Sequence, residues 1–129
     1  MARPRSKELT ERELEVMHVF WSGAPTKTWT IADVRDALDE SGRELAYTTV
    51  ATLVRILTEK GFLEQTNSER PFAYRSLKSF DEVSQSLLGE LIEKVFGGSR
   101  EKLLMRLVDQ KKLSKRERTL LESILRENS

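Results

Sequence analysis

Apolar residues recur along this chain at two rhythms, and the change between them divides its first half. From residue 10 to residue 60 the spacing is helical. Thr10 and Glu13 form a capping box, with Thr at the N-cap and Glu three residues on. The helix they open carries Leu14, Met17 and Trp21 on one line, with Val16 and Phe20 beside it, and Gly23 and Pro25 end it near Trp21. Thr28-Trp29-Thr30 suits a brief β-bridge. Thr30 with Asp33 caps a short second helix whose inner positions are Ile31, Val34, Ala37 and Leu38, broken at Ser41-Gly42. A third helix runs through AYTTVATLVRILTEKGFL, residues 46–63, and ends at Lys60-Gly61, where Gly61 suits the left-handed position after a helix. The period then shortens to two. Residues 62–66 and 71–77 have the pattern of two strands joined by a polar turn, with Pro71 at a strand start where its missing N–H is harmless.

The third helix has an unusual outer side. Val50, Leu53, Val54 and Leu57 make an i, i+3, i+4, i+7 stripe that should face a core. Opposite them stand Thr48, Thr52, Arg55 and Glu59, with Tyr47 and Ala51 on the flank. Thr is a mediocre helix former, and a face that only met water would more often hold Lys, Glu, Gln or Ala. Residues 9–78 therefore spell helix, helix, helix, β-hairpin: a mainly α fold with a small β-hairpin, the winged helix-turn-helix. In that architecture the outer face of the third helix enters the DNA major groove. Thr donates or accepts there and offers a methyl to thymine; Arg reaches guanine or a phosphate. A solvated surface is the plainer alternative. A second is a winged helix that binds protein rather than DNA, which Ile56 and Glu59 favour.

Residues 79–129 differ. Ser79 and Glu82 form another capping box, followed by Val83, Leu87, Leu88, Leu91, Ile92 and Val95 on one broad stripe up to Gly97-Gly98. Ser99 caps the next helix, with Leu103, Leu104, Leu107 and Val108 inside. Ser114 and Glu117 cap a last one carrying Leu120, Leu121, Ile124 and Leu125. Three short helices form a marginal core by themselves. These stripes are expected to pack against a second copy in a symmetric homodimer. The expected organisation is a DNA-binding domain over 1–78 and a helical dimerisation region over 79–129.

Composition narrows the chemistry. With no cysteine and a single histidine, the chain offers neither a thiolate nor a zinc ligand set, and His18, between Met17 and Val19, suits packing or surface better than general base work. No glycine-rich phosphate loop is present, because Gly97-Gly98 is a helix break without a following Lys-Ser/Thr. No enzyme activity, metal or cofactor is expected. No apolar run approaches the ~20 residues a membrane-spanning helix needs, and the basic start MARPRSKELTERE leads into an acidic helix rather than a signal sequence, so a cytoplasmic protein without a membrane partner is expected. Net charge is +1, from 22 basic and 21 acidic residues. The charges are segregated: Arg3, Arg5 and Lys7 open the chain without an acid, and Arg55, Lys60, Arg70, Arg75 and Lys78 outnumber Glu59, Glu64 and Glu69 over residues 45–80. One positive face on a near-neutral protein is a footprint for nucleic acid. Phosphate contacts are expected from Arg70, Lys78, Arg5 and Lys7, and sequence preference from Thr48, Thr52 and Arg55.

The stretches TVATLVRILTEKGFL and ERPFAYRSL resemble the penicillinase-repressor family (BlaI/MecI/CopY type), whose members look like TVxTLLxRLxxKGxL with a wing of the form GRxYxYxPL. LTERELEVMHVFW is similar to the family's first helix and TWTIADVRDAL to its second. The resemblance implies a homodimeric winged-helix repressor bound to a pseudo-palindromic operator in double-stranded DNA. It implies DNA-reading residues at Tyr47, Thr48, Thr49 and Thr52, and a wing-tip contact from Arg70. Three positions depart from the pattern. The family's arginine falls at Ile56, with Arg55 one place earlier and 100° further round the helix. The Asn-Phe bond that a partner protease cuts in some members falls at Arg106-Leu107. The cysteine clusters of copper-responsive members have no counterpart.

Overall fold

A computed structural model describes residues 8–110 and 113–127. Its contacts gather into two compact units, the first running through Val83 and the second starting at Ser84.

The first unit is three helices and a small sheet. Helix α1 (Glu11–Trp21) starts at its capping box: the Glu13 N–H donates to Thr10 Oγ1 at 3.2 Å and the Thr10 N–H to Glu13 Oε1 at 2.9 Å. Strand β1 (Trp29–Thr30) leads directly into α2 (Ile31–Glu40), where Thr30 and Asp33 exchange the same two bonds. Helix α3 (Tyr47–Glu59) ends in a Schellman motif. The Phe62 N–H donates to the Leu57 carbonyl at 2.9 Å and the Gly61 N–H to that of Thr58 at 3.1 Å, with Gly61 at φ +86°.

Strands β2 (Leu63–Gln65) and β3 (Ala73–Ser76) form the hairpin, and β3 also pairs with β1, giving a three-stranded antiparallel sheet in the order β1-β3-β2. Trp29 lies opposite Tyr74, and Leu63 opposite Ser76. Both hairpin strands are shorter than the alternation in the sequence suggests. At the wing tip the Asn67 side chain takes over from the ladder: its amide donates to the Pro71 carbonyl at 3.2 Å and its Oδ1 accepts from the Ala73 N–H at 2.8 Å.

The core combines Val16, Met17, Val19 and Phe20 with Ile31, Val34 and Leu38, and with Val50, Val54 and Leu57; Trp29 and Leu63 close it from the sheet, with Phe62 from the turn before β2. The inner row of α1 is thus Glu13, Val16, Met17 and Phe20, and Leu14 is only half-buried. A carboxylate tops an apolar row because Lys60 meets it. Lys60 Nζ lies 2.8 Å from Glu13 Oε1 and 2.7 Å from the Glu8 carbonyl, and the two side chains are 6% and 4% exposed. Buried charges are tolerated when paired and hydrogen-bonded in this way.

Helix α4 (Phe80–Val95) begins in the first unit and continues into the second. Its first turn belongs to the first because Val83, 6% exposed, packs into that core rather than standing at the expected dimer seam. The second unit is the rest of α4 with α5 (Arg100–Gln110) and α6 (Lys115–Glu127). Ser99 caps α5, and Ser114 with Glu117 boxes α6. No described side chain of this unit is buried. Leu87, Leu88, Leu91, Leu107, Leu120 and Ile124 are exposed, Val95 at 66%, while Ile92, Leu103 and Leu121 are half-buried. The Leu125 side chain lies outside the described residues.

Candidate nucleic-acid interface

The outer side of α3 stays open. Thr48, Thr52 and Arg55 are exposed, Tyr47 is 47% exposed at the first helical position, and Thr49 is half-buried. The Thr52 hydroxyl donates to the Thr48 carbonyl at 2.9 Å. Its proton is therefore committed to its own helix, and what it shows outward is a pair of acceptor lone pairs and a methyl group. Arg55 is an i,i+4 partner of Glu59, with Nη1 and Oε1 2.8 Å apart and both side chains open to solvent.

The start of α3 is unlike that of the other helices. Ala46 occupies the N-cap with φ −65° and ψ 148°, and no side chain caps the helix; no acid stands in its first turn. A helix start left so presents N–H groups and the positive end of the peptide dipoles outward, which suits an anion.

The wing faces this end of the helix. Tyr47 and Ala51 line one groove together with Arg70, Pro71, Phe72 and Tyr74. Arg70 lies at the wing tip with its guanidinium 5.4 Å from the Phe72 ring, and among the described residues it forms no ion pair. On the other side, Arg35 of α2 lies 5.8 Å over the Tyr47 ring. Tyr74 is kept as a phenol, its pKa raised first by burial and then by Tyr47 beside it. The sequence-predicted residues Tyr47 and Arg70 are thus brought together. Lys78 is placed elsewhere, beyond the far end of β3, where its carbonyl accepts from the Trp21 indole at 2.9 Å. Arg5 and Lys7 lie outside the described residues. Sequence reasoning overlooked Arg35 and Phe72. Arg35 had a signal, being a cation one position past the buried Val34 in the helix that precedes the recognition helix. Phe72 had none, because an aromatic in a wing reads as strand.

Among the described residues no group of His, Asp and Glu could hold a metal ion, and no helix is long and apolar enough to cross a membrane. The sequence model described as Penicillinase repressor matches residues 9–127. A transcriptional regulator BlaI of Mycobacterium tuberculosis is 32% identical over 103 residues, which are 79% of this chain and 72% of that protein. The methicillin resistance regulatory protein MecI of Mammaliicoccus sciuri is 26% identical over 121 residues, 94% of this chain and 95% of that one. A solved chain described as "Structure of Prokaryotic Transcription Factors" superposes with a TM-score of 0.49 at 15% identity, over 70% of this chain and 84% of its own. With its first helix, recognition helix, wing and C-terminal helices all inside the matched span, the chain belongs to the penicillinase repressor family.

Proposed function

We propose that the protein is a cytoplasmic transcriptional repressor that binds an operator dyad as a homodimer. The observation that carries this reading is the groove between the uncapped start of α3 and the wing, with Tyr47 on one wall and Arg70 on the other. A duplex laid on this face meets α3 in its major groove. Thr52 accepts from adenine N6 or cytosine N4, and its methyl meets thymine; Thr48 reads beside it, and Arg55 reaches guanine when it leaves Glu59. Tyr47, Thr49 and the first N–H groups of α3 hold a phosphate, with Arg70 and Arg35 on the flanking backbone. Arg5, Lys7 and Lys78 add to the positive field around it.

The second unit supports the homodimer, because its exposed leucines need a partner surface and a second copy would supply one. Two copies would set their recognition helices about 34 Å apart, in successive major grooves. Repression is occupancy of promoter DNA, in keeping with the regulatory roles in the names of the BlaI and MecI relatives. No catalytic step and no cofactor enters. Release by cutting an Asn-Phe bond is not part of this reading, because Arg106-Leu107 stands in its place.

A protein-binding winged helix is the second reading, favoured by the Arg55–Glu59 pair, which neutralises the one cation on the outer face of α3. Selection of tight binders from random duplexes of roughly 30 base pairs, long enough for two half-sites a turn apart, separates the two. An enriched inverted repeat supports the dimeric DNA reader. Weak, salt-sensitive binding without enrichment moves the protein-binding module to first place.

A further inference from the structure

The first unit holds another concavity, away from the α3–wing groove. It has a volume of about 320 Å³ and lies between the end of α1, the end of β3 and the first turn of α4. Aromatic and apolar side chains dominate its lining: Phe20, Trp21, Leu77 and Phe80. The Trp21 and Phe80 rings stand 5.4 Å apart at 74°, so they form two walls of a corner. Trp21 is held in place by its indole bond to the Lys78 carbonyl. Phe80 and Leu77 are each about half exposed, at 51% and 50%, which leaves the corner accessible.

One charged side chain lines the cavity, and it is an acid. Glu82 is fixed by its capping box: the Ser79 N–H donates to Oε1 at 3.0 Å while the Glu82 N–H donates to Ser79 Oγ at 3.1 Å. The Ser79 backbone N–H first, then its hydroxyl, and last the Lys78 charge nearby hold the Glu82 carboxyl below the usual carboxylate range, so it is ionised at neutral pH. Aromatic faces carry negative quadrupole potential, and a carboxylate beside them adds to it. The combination disfavours an anion. It also disfavours a purely apolar guest, which would strip water from the carboxylate without replacing it. A bare metal ion would find one carboxylate and no further ligand set. The volume sits at the small end of the range for organic ligands.

We propose that this concavity binds a small organic cation, an alkylated ammonium whose head rests in the corner of Trp21 and Phe80 with Glu82 as counter-charge. No residue that lines the site belongs to the DNA reading, and Lys78, which does, enters only through the backbone carbonyl that holds Trp21 and the charge it sets near Glu82.

Benzyltrimethylammonium titrated into the full chain, followed by the indole N–H resonances, is the test. The Trp21 resonance should move and that of Trp29, buried in the core, should stay. Choline should bind at least roughly threefold more tightly than its uncharged isostere 3,3-dimethylbutan-1-ol. Glu82→Gln keeps an acceptor for the Ser79 N–H and removes the charge. Phe80→Leu keeps apolar volume and removes a ring face. Each variant should weaken the cation by roughly three- to thirty-fold. Equal affinity for choline and its isostere, or unchanged affinity in both variants, would overturn the proposal and leave a plain apolar groove. A Trp21 resonance that ignores the cation but moves when the protein is diluted would assign the cavity to a second copy, and would overturn it equally.

Discussion

Ala46→Asp separates what the start of α3 does for the fold from what it does for DNA. Ala46 is exposed and has the extended backbone of an N-cap, yet it offers no acceptor, whereas Thr10, Thr30, Ser79, Ser99 and Ser114 cap the other helices. Asp at this position accepts from the N–H of Thr48 or Thr49. The cap should stabilise the first unit by about 1 kcal/mol, and its charge at the positive helix end by about 0.3–1 kcal/mol more. Each kcal/mol raises Tm by roughly 4–8 °C in a unit of this size. The same carboxylate would stand beside the phosphate assigned to this site. Two like charges about 4 Å apart repel by about 1 kcal/mol even at the dielectric constant of water. Each half-site should therefore lose at least about fivefold in affinity, and a dimer on two half-sites at least about twenty-five-fold. Ala46→Asn caps without charge, so it should keep part of the gain in Tm with a smaller loss of binding. Thermal melts and duplex titrations at one fixed salt concentration measure both sides. Undiminished affinity in a stabilised Asp variant would refute the placement of a phosphate at the start of α3. No gain in Tm would refute the cap geometry.

Lys60→Met strands the Glu13 carboxylate in the core and should cost about 3–5 kcal/mol in urea unfolding; a Glu13→Gln/Lys60→Met double variant should recover much of it, and no recovery would mean the pair is not the source. Burial works to raise the Glu13 pKa, but the Lys60 hydrogen bond, the Thr10 N–H and the Lys60 charge outweigh it, so the folded value lies below the usual glutamate range. The stability this group adds is present above its unfolded value and is lost as pH falls through the folded one; Glu13→Gln should flatten the fall in stability with acid, and an unchanged slope would reject the assignment. Arg70→Ala should weaken all duplexes alike and reduce the salt slope by about one, whereas a loss confined to one sequence would make Arg70 a base reader. Leu91→Lys should give monomers by sedimentation with weak duplex binding; a persisting dimer would put the seam elsewhere.

The elements were legible because their boundaries are local. The capping boxes at Thr10, Thr30, Ser79 and Ser114 form as the spacing predicts, and Gly61 turns α3 into the sheet. Such signals depend on residues three or four apart. What the sequence hid depends on distance or on rotamer. Glu13 looked like a cap and is also a buried ion-pair partner of a lysine 47 positions away. Thr52 looked like a donor and acceptor, but its proton turns back onto Thr48. Arg55 looked like an open reading residue and is drawn to Glu59 one turn on. Of the candidate site, the helix face and the wing-tip arginine were readable, while the groove that brings Tyr47 toward Phe72 required the hairpin's path.

The Schellman turn at Gly61 has a consequence for how the protein would measure DNA. The last carbonyls of α3 are bonded by the residues that start the wing, and the Phe62 carbonyl in turn accepts from the Leu77 N–H at 2.9 Å where the hairpin returns. No free linker separates the recognition helix from the wing, so the two behave as the jaws of one caliper with a fixed gape. The number of base pairs between the bases under α3 and the backbone under Arg70 should then be invariant among operators. Any tolerance for altered spacing between half-sites has to come from outside the first unit.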